Sequence, residues 1–384
     1  MADHLYIHVP FCARRCSYCD FSIAVRPTTP IDEYLAALRT ELALTRAVDD
    51  ARLETVYLGG GTPSRLGGAG VAAVISAVRE RSQIAPNAEI TIEANPDDVT
   101  KAAVLSWATA GVNRVSLGAQ SFDDSVLRWM HRTHDAAQIA RAVATLRSAG
   151  LANISLDLIF SLPAHLDRSW EKDIDRALEL APQHVSLYGL TVETHTPIAR
   201  WKERGAVVEG TEDRYEEEFL YAHHRMTGAG FDHYEVSNFG RPSLHSCHNS
   251  AYWTGVPYAA IGPSAHSFDG AVRRWNVSAY SEWIRCLAAG QTPVAGEETL
   301  TSEDREAEAI YLGLRTAKGL EIRDHELALA QTWAEAGWAR ISQPAHLTLT
   351  PLGWLRLDSI AAELASRRAR PSSVLGANPS HCYI

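Results

Sequence analysis

The strongest chemical signal in this chain is a group of three cysteines, Cys12, Cys16 and Cys19, spaced Cys-x3-Cys-x2-Cys. Phe11, Tyr18 and Phe21 surround them, so three thiolates can converge on one centre under an apolar cover. A structural zinc site normally takes four protein ligands, usually as two short-spaced pairs, and no second pair is present. Iron–sulfur clusters are held by thiolates, and three thiolates on a [4Fe–4S] cluster leave one iron open to an exchangeable ligand. Zinc or incidental thiols are the alternatives. Cys247, Cys286 and Cys382 stand alone; Cys286 reads as a core thiol and Cys382 as a tail thiol. Six cysteines are too few for a disulfide scaffold.

A second signal is Gly59-Gly60-Gly61-Thr62-Pro63. Glycines let the backbone approach a ligand where a Cβ would collide, and expose N–H and C=O groups to it; the plainer reading is a tight strand-to-helix turn. Glu93 and Asn95 in IEANPDD, Gln120 in NRVSLGAQSF, Arg132 in MHRTH and Asp157 in SLDLIFSLP offer side chains suited to hydroxyls and a carboxylate. Any one of them alone reads as a solvated surface group. In His248-Asn249-Ser250-Ala251-Tyr252-Trp253 the imidazole can ligate a haem iron and the aromatics can stack on a porphyrin. By itself the same loop reads as aromatics packed on the rim of a fold. His223 and His224 fall on different faces of a helix and make a poor metal pair, while His131 and His134 read as solvated.

These residues need a scaffold, and the chain supplies a regular one. Six strand-like runs, Leu5 to Val9, Thr55 to Leu58, Glu89 to Ala94, Arg114 to Leu117, Ile154 to Phe160 and His184 to Leu190, alternate with amphipathic stretches. That is the pattern of βα units and a parallel sheet. Tyr34, Leu38 and Leu42 mark one helical stripe, Ile139, Val143 and Leu146 another, and Trp170, Ile174 and Leu178 a third. Each chemical motif lies at or just beyond a strand end, where parallel α/β barrels carry their sites. Six units and right-handed crossovers predict an α/β fold, a partial (βα)6 TIM-type barrel over 1–192; a doubly wound sheet is the alternative. Residues 193–298 form an irregular extension with a helix near 212–227 and a strand-like HYEVSNF. Residues 299–366 read as a small helical, winged-helix-like domain with helices near 303–315, 324–338 and 352–365. The stretch 367–384, with SRRARPSS, reads as a disordered tail.

Composition narrows the function. A formal charge of −10 argues against nucleic-acid binding, and 46% apolar residues fill a sizeable core. The N-terminus lacks the basic and apolar regions of a signal peptide, and no apolar run approaches the ~18–20 residues that span a bilayer. The expected compartment is the cytoplasm, where close cysteines favour metal or redox chemistry.

Taken together, the cysteine spacing after a first βα strand, with Tyr18 before the third cysteine, resembles the radical S-adenosylmethionine (SAM) superfamily. The resemblance implies a [4Fe–4S] cluster on Cys12, Cys16 and Cys19, whose open iron binds the methionyl amine and carboxylate of S-adenosylmethionine, cleaved in that family to a 5′-deoxyadenosyl radical. It places the methionyl amine on the glycine loop at Gly60, Gly61 and Thr62 and the adenine against Tyr18. Tyr6, Glu93, Gln120, Arg132 and Asp157 match the cofactor contacts of the oxygen-independent coproporphyrinogen III oxidase family, Arg132 as partner of the carboxylate. The segment from Gly262 to His266 corresponds to one near the adenine side. The likeness runs from Leu5 to about Leu364. The oxidases themselves carry a further cysteine two residues after the third, where this chain has Phe21, and a long segment before the cluster. HNxxYW matches the haem chaperone branch of the family. That branch implies haem bound with His248 as a candidate ligand, delivery to acceptor haemoproteins that include membrane-associated respiratory enzymes, a cluster-dependent homodimer and a place in porphyrin metabolism. The rival expectation is an enzyme, a coproporphyrinogen III oxidase or a radical methylase.

Overall fold

A computed structural model describes residues 2–342 and 344–369. The chain divides into two compact units between Thr299 and Leu300. In the first, β1 (His4–Val9), β2 (Arg52–Gly60), β3 (Gln83–Ala94), β4 (Arg114–Gln120), β5 (Asn153–Phe160) and β6 (His184–Gly189) lie side by side in chain order and run parallel. The crossovers carry α1 (Ile31–Leu44), α2 (Gly67–Arg79), α3 (Lys101–Ala110), α4 (Asp124–Trp129), α5 (Ala136–Ser148) and α6 (Trp170–Glu179). This is the partial (βα)6 barrel expected from the alternating pattern. The Asp135–Gln138 capping box starts α5, and Ser169 caps α6, as short polar side chains do for orphan N–H groups.

Residues after 192 join the same sheet. They form α7 (Pro197–Glu203), α8 (Glu212–Gly228), β7 (Asp232–Glu235), β8 (Asn238–Gly240), α9 (Cys247–Trp253) and β9 (Ala259–Ile261). β8 and β7 extend the edge beyond β6 in antiparallel fashion, whereas β9 pairs parallel with β1 at the other edge. A meander of β10 (His266–Phe268), β11 (Val272–Asn276) and β12 (Val294–Thr299), with α10 (Tyr280–Ala288), completes the unit.

The six parallel strands alternate sharply. One face carries Leu5, Ile7, Val56, Leu58, Ile90, Ile92, Val115, Leu117, Ile154 and Leu156, all buried, beneath helices whose apolar stripes are buried in turn, such as Leu38 and Leu42 of α1 and Ile139 and Leu146 of α5. The other face is polar. His4, Thr55, Glu89, Arg114 and His184 stand near the strand starts, Thr91, Ser116, Ser155 and Ser186 midway, and His8, Glu93 and Asp157 toward the ends. A strand points successive side chains to opposite faces, so the barrel acquires a hydrogen-bonded interior rather than an apolar one.

The second unit holds α11 (Ser302–Arg315), β13 (Leu320–Glu321), α12 (Leu327–Glu335), β14 (Ala339–Ser342), β15 (His346–Leu349), α13 (Pro351–Trp354) and α14 (Leu357–Arg368). Its strands form an antiparallel sheet in the order β13-β15-β14. Arg367 and Arg368 belong to a helix rather than to a tail: Arg368 Nε donates to the fully buried Glu326 at 2.6 Å. Residues from 370 on, with Cys382, lie outside the described residues. No helix among the described residues is long and apolar enough to cross a membrane.

Candidate functional site

The cysteine loop leaves the end of β1 and is pinched at its base. Phe11–Cys12 pairs in parallel with Ala24–Val25, and the Ala24 and Arg26 N–H groups donate to Pro10 and Cys12 carbonyls at 2.7 and 3.0 Å. Cys12 is buried, with Sγ 3.3 Å from Thr62 Oγ1; Cys16 and Cys19 are half-buried, and Arg132 Nη1 donates to Cys16 Sγ at 3.5 Å. Burial, and next the neighbouring Cys16, push the Cys19 thiol up to about 12; burial also raises Cys12. No three His, Cys, Asp or Glu side chains among the described residues form a single-ion site. A cubane makes a different demand, because each thiolate bonds its own iron.

The glycine run closes against this loop. Gly60 ends β2 with φ +109°, and a Cβ there would meet the His8 ring at 2.6 Å. At Gly61 a Cβ would fall 2.7 Å from the Pro10 carbonyl and 3.1 Å from Cys12 Sγ. Only glycine lets the two loops approach so closely. The Gly60 N–H donates to Glu93 Oε2 at 3.0 Å and the Tyr57 hydroxyl to Oε1 at 2.8 Å. Burial dominates these bonds and pushes the Glu93 carboxyl up to about 7.

The remaining polar candidates gather on the adjoining strands. Asp157 accepts from Ser116 Oγ at 2.9 Å, and burial raises its carboxyl. Arg132 Nη2 donates to Asn95 Oδ1 at 2.6 Å and to the Gly118 carbonyl at 2.9 Å, while its buried Nε has no partner. Gln120 takes a left-handed φ of +66°, and a Cβ on Gly118 would come within 3.0 Å of its Nε2 and 3.1 Å of Arg132 Nη2. Tyr18 packs on a buried cluster of Val126, Met130, Ile159 and Leu162. Thr62 is engaged with Cys12. Tyr6 lies deeper in the barrel, 3.2 Å from His8 Nδ1 through its hydroxyl and stacked on Tyr57.

His248 is elsewhere. Its Nδ1 pairs with Thr55 Oγ1 at 2.7 Å and its Nε2 with the Tyr252 hydroxyl at 2.9 Å. The ring is 1% exposed and stacks 4.9 Å from Tyr57. Glu89 accepts the N–H groups of Cys247 and His248, both at 3.0 Å, so β3 anchors the start of α9 as a capping carboxylate would. These partners belong to the strand starts, roughly five residue steps of ~3.3 Å from the loop that follows Val9. Burial, then the charges of His4 and Arg114, hold the imidazole down to about 3. Both ring nitrogens of His248, the residue expected as a haem ligand, are thus hydrogen-bonded within the core. His134 also differs from its solvated reading: it is buried, its Nε2–H donates to the Ala119 carbonyl at 3.2 Å, and burial lowers it to about 4. His223 meets His233, with Nδ1 atoms 2.9 Å apart.

Sequence reasoning missed Tyr57 and Ser116, which hold Glu93 and Asp157. The signal was the alternation itself, Thr55-x-Tyr57, Glu89-x-Thr91-x-Glu93, Arg114-x-Ser116, unusual in parallel strands, which are commonly apolar on both faces.

Residues 6–177 match the family model described as the Radical SAM superfamily. The Heme chaperone HemW of Mycobacterium tuberculosis strain H37Rv is 38% identical over 322 residues, covering 83% of this chain and 83% of that one. The Heme chaperone HemW of Bacillus subtilis is 33% identical over 317 residues, covering 82% and 84%. Among solved structures, coproporphyrinogen III oxidase (HemN) from Escherichia coli superposes with a TM-score of 0.79 at 23% identity, over 94% of this chain and 90% of that one, which establishes the shared fold. The chain belongs to the HemW family of the radical SAM superfamily.

Proposed function

We propose that this chain holds a [4Fe–4S] cluster on Cys12, Cys16 and Cys19, binds S-adenosylmethionine beside it, and carries haem to acceptor haemoproteins in the cytoplasm. The observation that carries the reading is the pinched loop, with three thiols and no fourth, set against a glycine run in a chain of the HemW family. The donor set fits the group. Gly61 leaves room where a Cβ would strike Cys12 Sγ, and Arg132 stands beside Cys16 with a buried Nε lacking a partner. When bound, the cluster and S-adenosylmethionine supply one-electron chemistry, with one iron open to the methionyl amine and carboxylate.

The chain's own residues bind and shield. Gly60, Gly61 and Thr62 offer backbone to the amine, and Glu93 offers a half-buried carboxylate to a cationic ligand. Gln120 and Asp157 suit ribose hydroxyls, Arg132 a carboxylate and Tyr18 the adenine face. Tyr6 supports this layer from below through His8. Haem is cargo, and respiratory haemoproteins at a membrane are the acceptors this reading favours, with a cluster-dependent homodimer as the assembly.

The rival is oxidative decarboxylation of coproporphyrinogen III, or a radical methylation, since the oxidase shares the fold. Phe21, 58% exposed, occupies the position of the oxidase's further cysteine and weighs against it. The test is anaerobic and reductive. Cys16→Ser should lose cluster iron and its visible absorption, and the parent should form no protoporphyrinogen from coproporphyrinogen III. Unchanged iron refutes the cluster assignment, and decarboxylation at turnover rates refutes the carrier.

A further inference from the structure

Each cysteine of the loop meets a different donor. Cys12 Sγ lies 3.3 Å from the Thr62 hydroxyl, Cys19 takes the Phe21 backbone N–H, and Cys16 Sγ accepts from Arg132 Nη1 at 3.5 Å. The first two donors are neutral. The third is a guanidinium, which stays charged throughout the pH range of a folded protein. Two other arginines stand at the same loop, and both direct their donors to carbonyls: Arg15 to that of Cys19, Arg65 to those of Arg26 and Pro27. Among the described residues, Arg132 is the cation that hydrogen-bonds a sulfur of this loop.

The guanidinium is held where it is. It stands on the turn between α4 and α5, where His131 takes a left-handed φ of +59°. Its Nη2 donates to Asn95 Oδ1 at 2.6 Å and to the Gly118 carbonyl at 2.9 Å, which ties it to the ends of β3 and β4. The same turn grips the loop a second time. The Ser17 N–H donates to the Met130 carbonyl at 3.1 Å, and Tyr18 packs on the buried cluster that contains Met130. From the other side the Ile198 N–H of α7 donates to the Ser17 carbonyl at 2.9 Å. Asn95 and Gly118 are neutral acceptors, so among the described residues no carboxylate bonded to Arg132 cancels its charge.

A thiolate on iron is negative, and one-electron reduction of a cluster adds a further negative charge. Iron–sulfur potentials follow net charge, hydrogen bonds to the sulfurs and solvent exposure. A fixed cation beside a ligating sulfur stabilises the reduced state more than the oxidised one. The step concerned is the transfer of one electron from an external low-potential reductant, which takes [4Fe–4S]2+ to [4Fe–4S]+ with no bond made or broken.

We infer that Arg132, through its contact with Cys16, sets the reduction potential of the cluster and holds it above the value the three thiolates alone would give. The role rests on the reading that Cys12, Cys16 and Cys19 hold the cluster, and it is additional to the carboxylate contact given to the same side chain. The buried Nε, without a partner, remains for that contact.

The test is an anaerobic redox titration of the full-length, cluster-loaded protein without S-adenosylmethionine, followed by visible absorption and by the electron paramagnetic resonance of the reduced cluster. Arg132→Met and Arg132→Gln should lower the equilibrium constant for reduction by about tenfold or more, about 59 mV for a one-electron couple, with iron per chain at the parent's level. Arg132→Lys, which keeps the charge, should recover most of that loss. Arg65→Met removes a loop cation bonded to carbonyls and should leave the potential at the parent's value. An unchanged potential in both neutral variants, an equal fall in Arg65→Met, or loss of iron from the neutral variants, which would make Arg132 a clamp of the loop, overturns the assignment alone. A parent that holds no four-iron cluster overturns the cluster reading and the assignment with it.

Discussion

Glu93 and His248 show how burial sets what a side chain can do. Glu93 is pushed up to about 7 by burial, so a cation brought to it favours its ionised form. S-adenosylmethionine carries a sulfonium and an ammonium. Its affinity should therefore rise as pH climbs from about 5.5 through 7, and Glu93→Gln should both weaken binding, by about tenfold, and flatten that rise; equilibrium binding across pH checks it. His248 works in the opposite sense. Its folded value is lowered to about 3 from 6.5, so its contribution to stability is present above pH 6.5 and is lost as pH falls toward 3. Removing it by His248→Gln should cost about 2–4 kcal/mol at pH 7, and the gap to the parent should narrow at pH 4–5. Denaturant melts at the two pH values measure this, and a gap independent of pH would contradict the assignment.

The elements position these residues through a few buried hubs. Glu41 on α1 accepts from the Gly262 N–H at 2.9 Å, Asn276 Nδ2 at 2.5 Å and Trp283 Nε1 at 2.7 Å, tying α1 to the end of β9, to β11 and to α10. Glu41→Ala leaves three buried donors unpaired and should destabilise the chain by about 3 kcal/mol, read as a drop in the denaturation midpoint. Gly60→Ala meets a left-handed φ and the His8 ring together; it should reduce cluster retention, read as iron per chain, because the glycine loop would shift off Cys12. At this scale the strands and their order were legible, since alternating βα segments permit little else. The places of the cysteine loop and the glycine run were legible too, because each lies at a strand end. His248 was not. The HNxxYW pattern is compatible with a surface ligand and with a core pin, and the choice depends on Thr55 and Glu89, more than a hundred and fifty residues away in the chain.

The molecule as a whole combines an apolar outer layer under helices with a polar barrel interior, and it gathers its chemistry at one end of the six parallel strands. The clustered cysteines, read from the sequence, raised the expectation of a metal site at that end. In the small second unit capping and periodicity pointed to helices, whereas its antiparallel sheet came from the structure, and α14 extends to Arg368, which the Glu326 carboxylate holds in place. Family membership brings haem transport to the front, and the fold alone does not, since coproporphyrinogen III oxidase shares it. The decisive measurement is therefore haem transfer from the loaded chain to an apo-haemoprotein, followed anaerobically by the acceptor's absorption spectrum. The account predicts that the acceptor gains haem as the carrier loses it; a carrier that retains its haem, while the same acceptor takes up free haem, would contradict it.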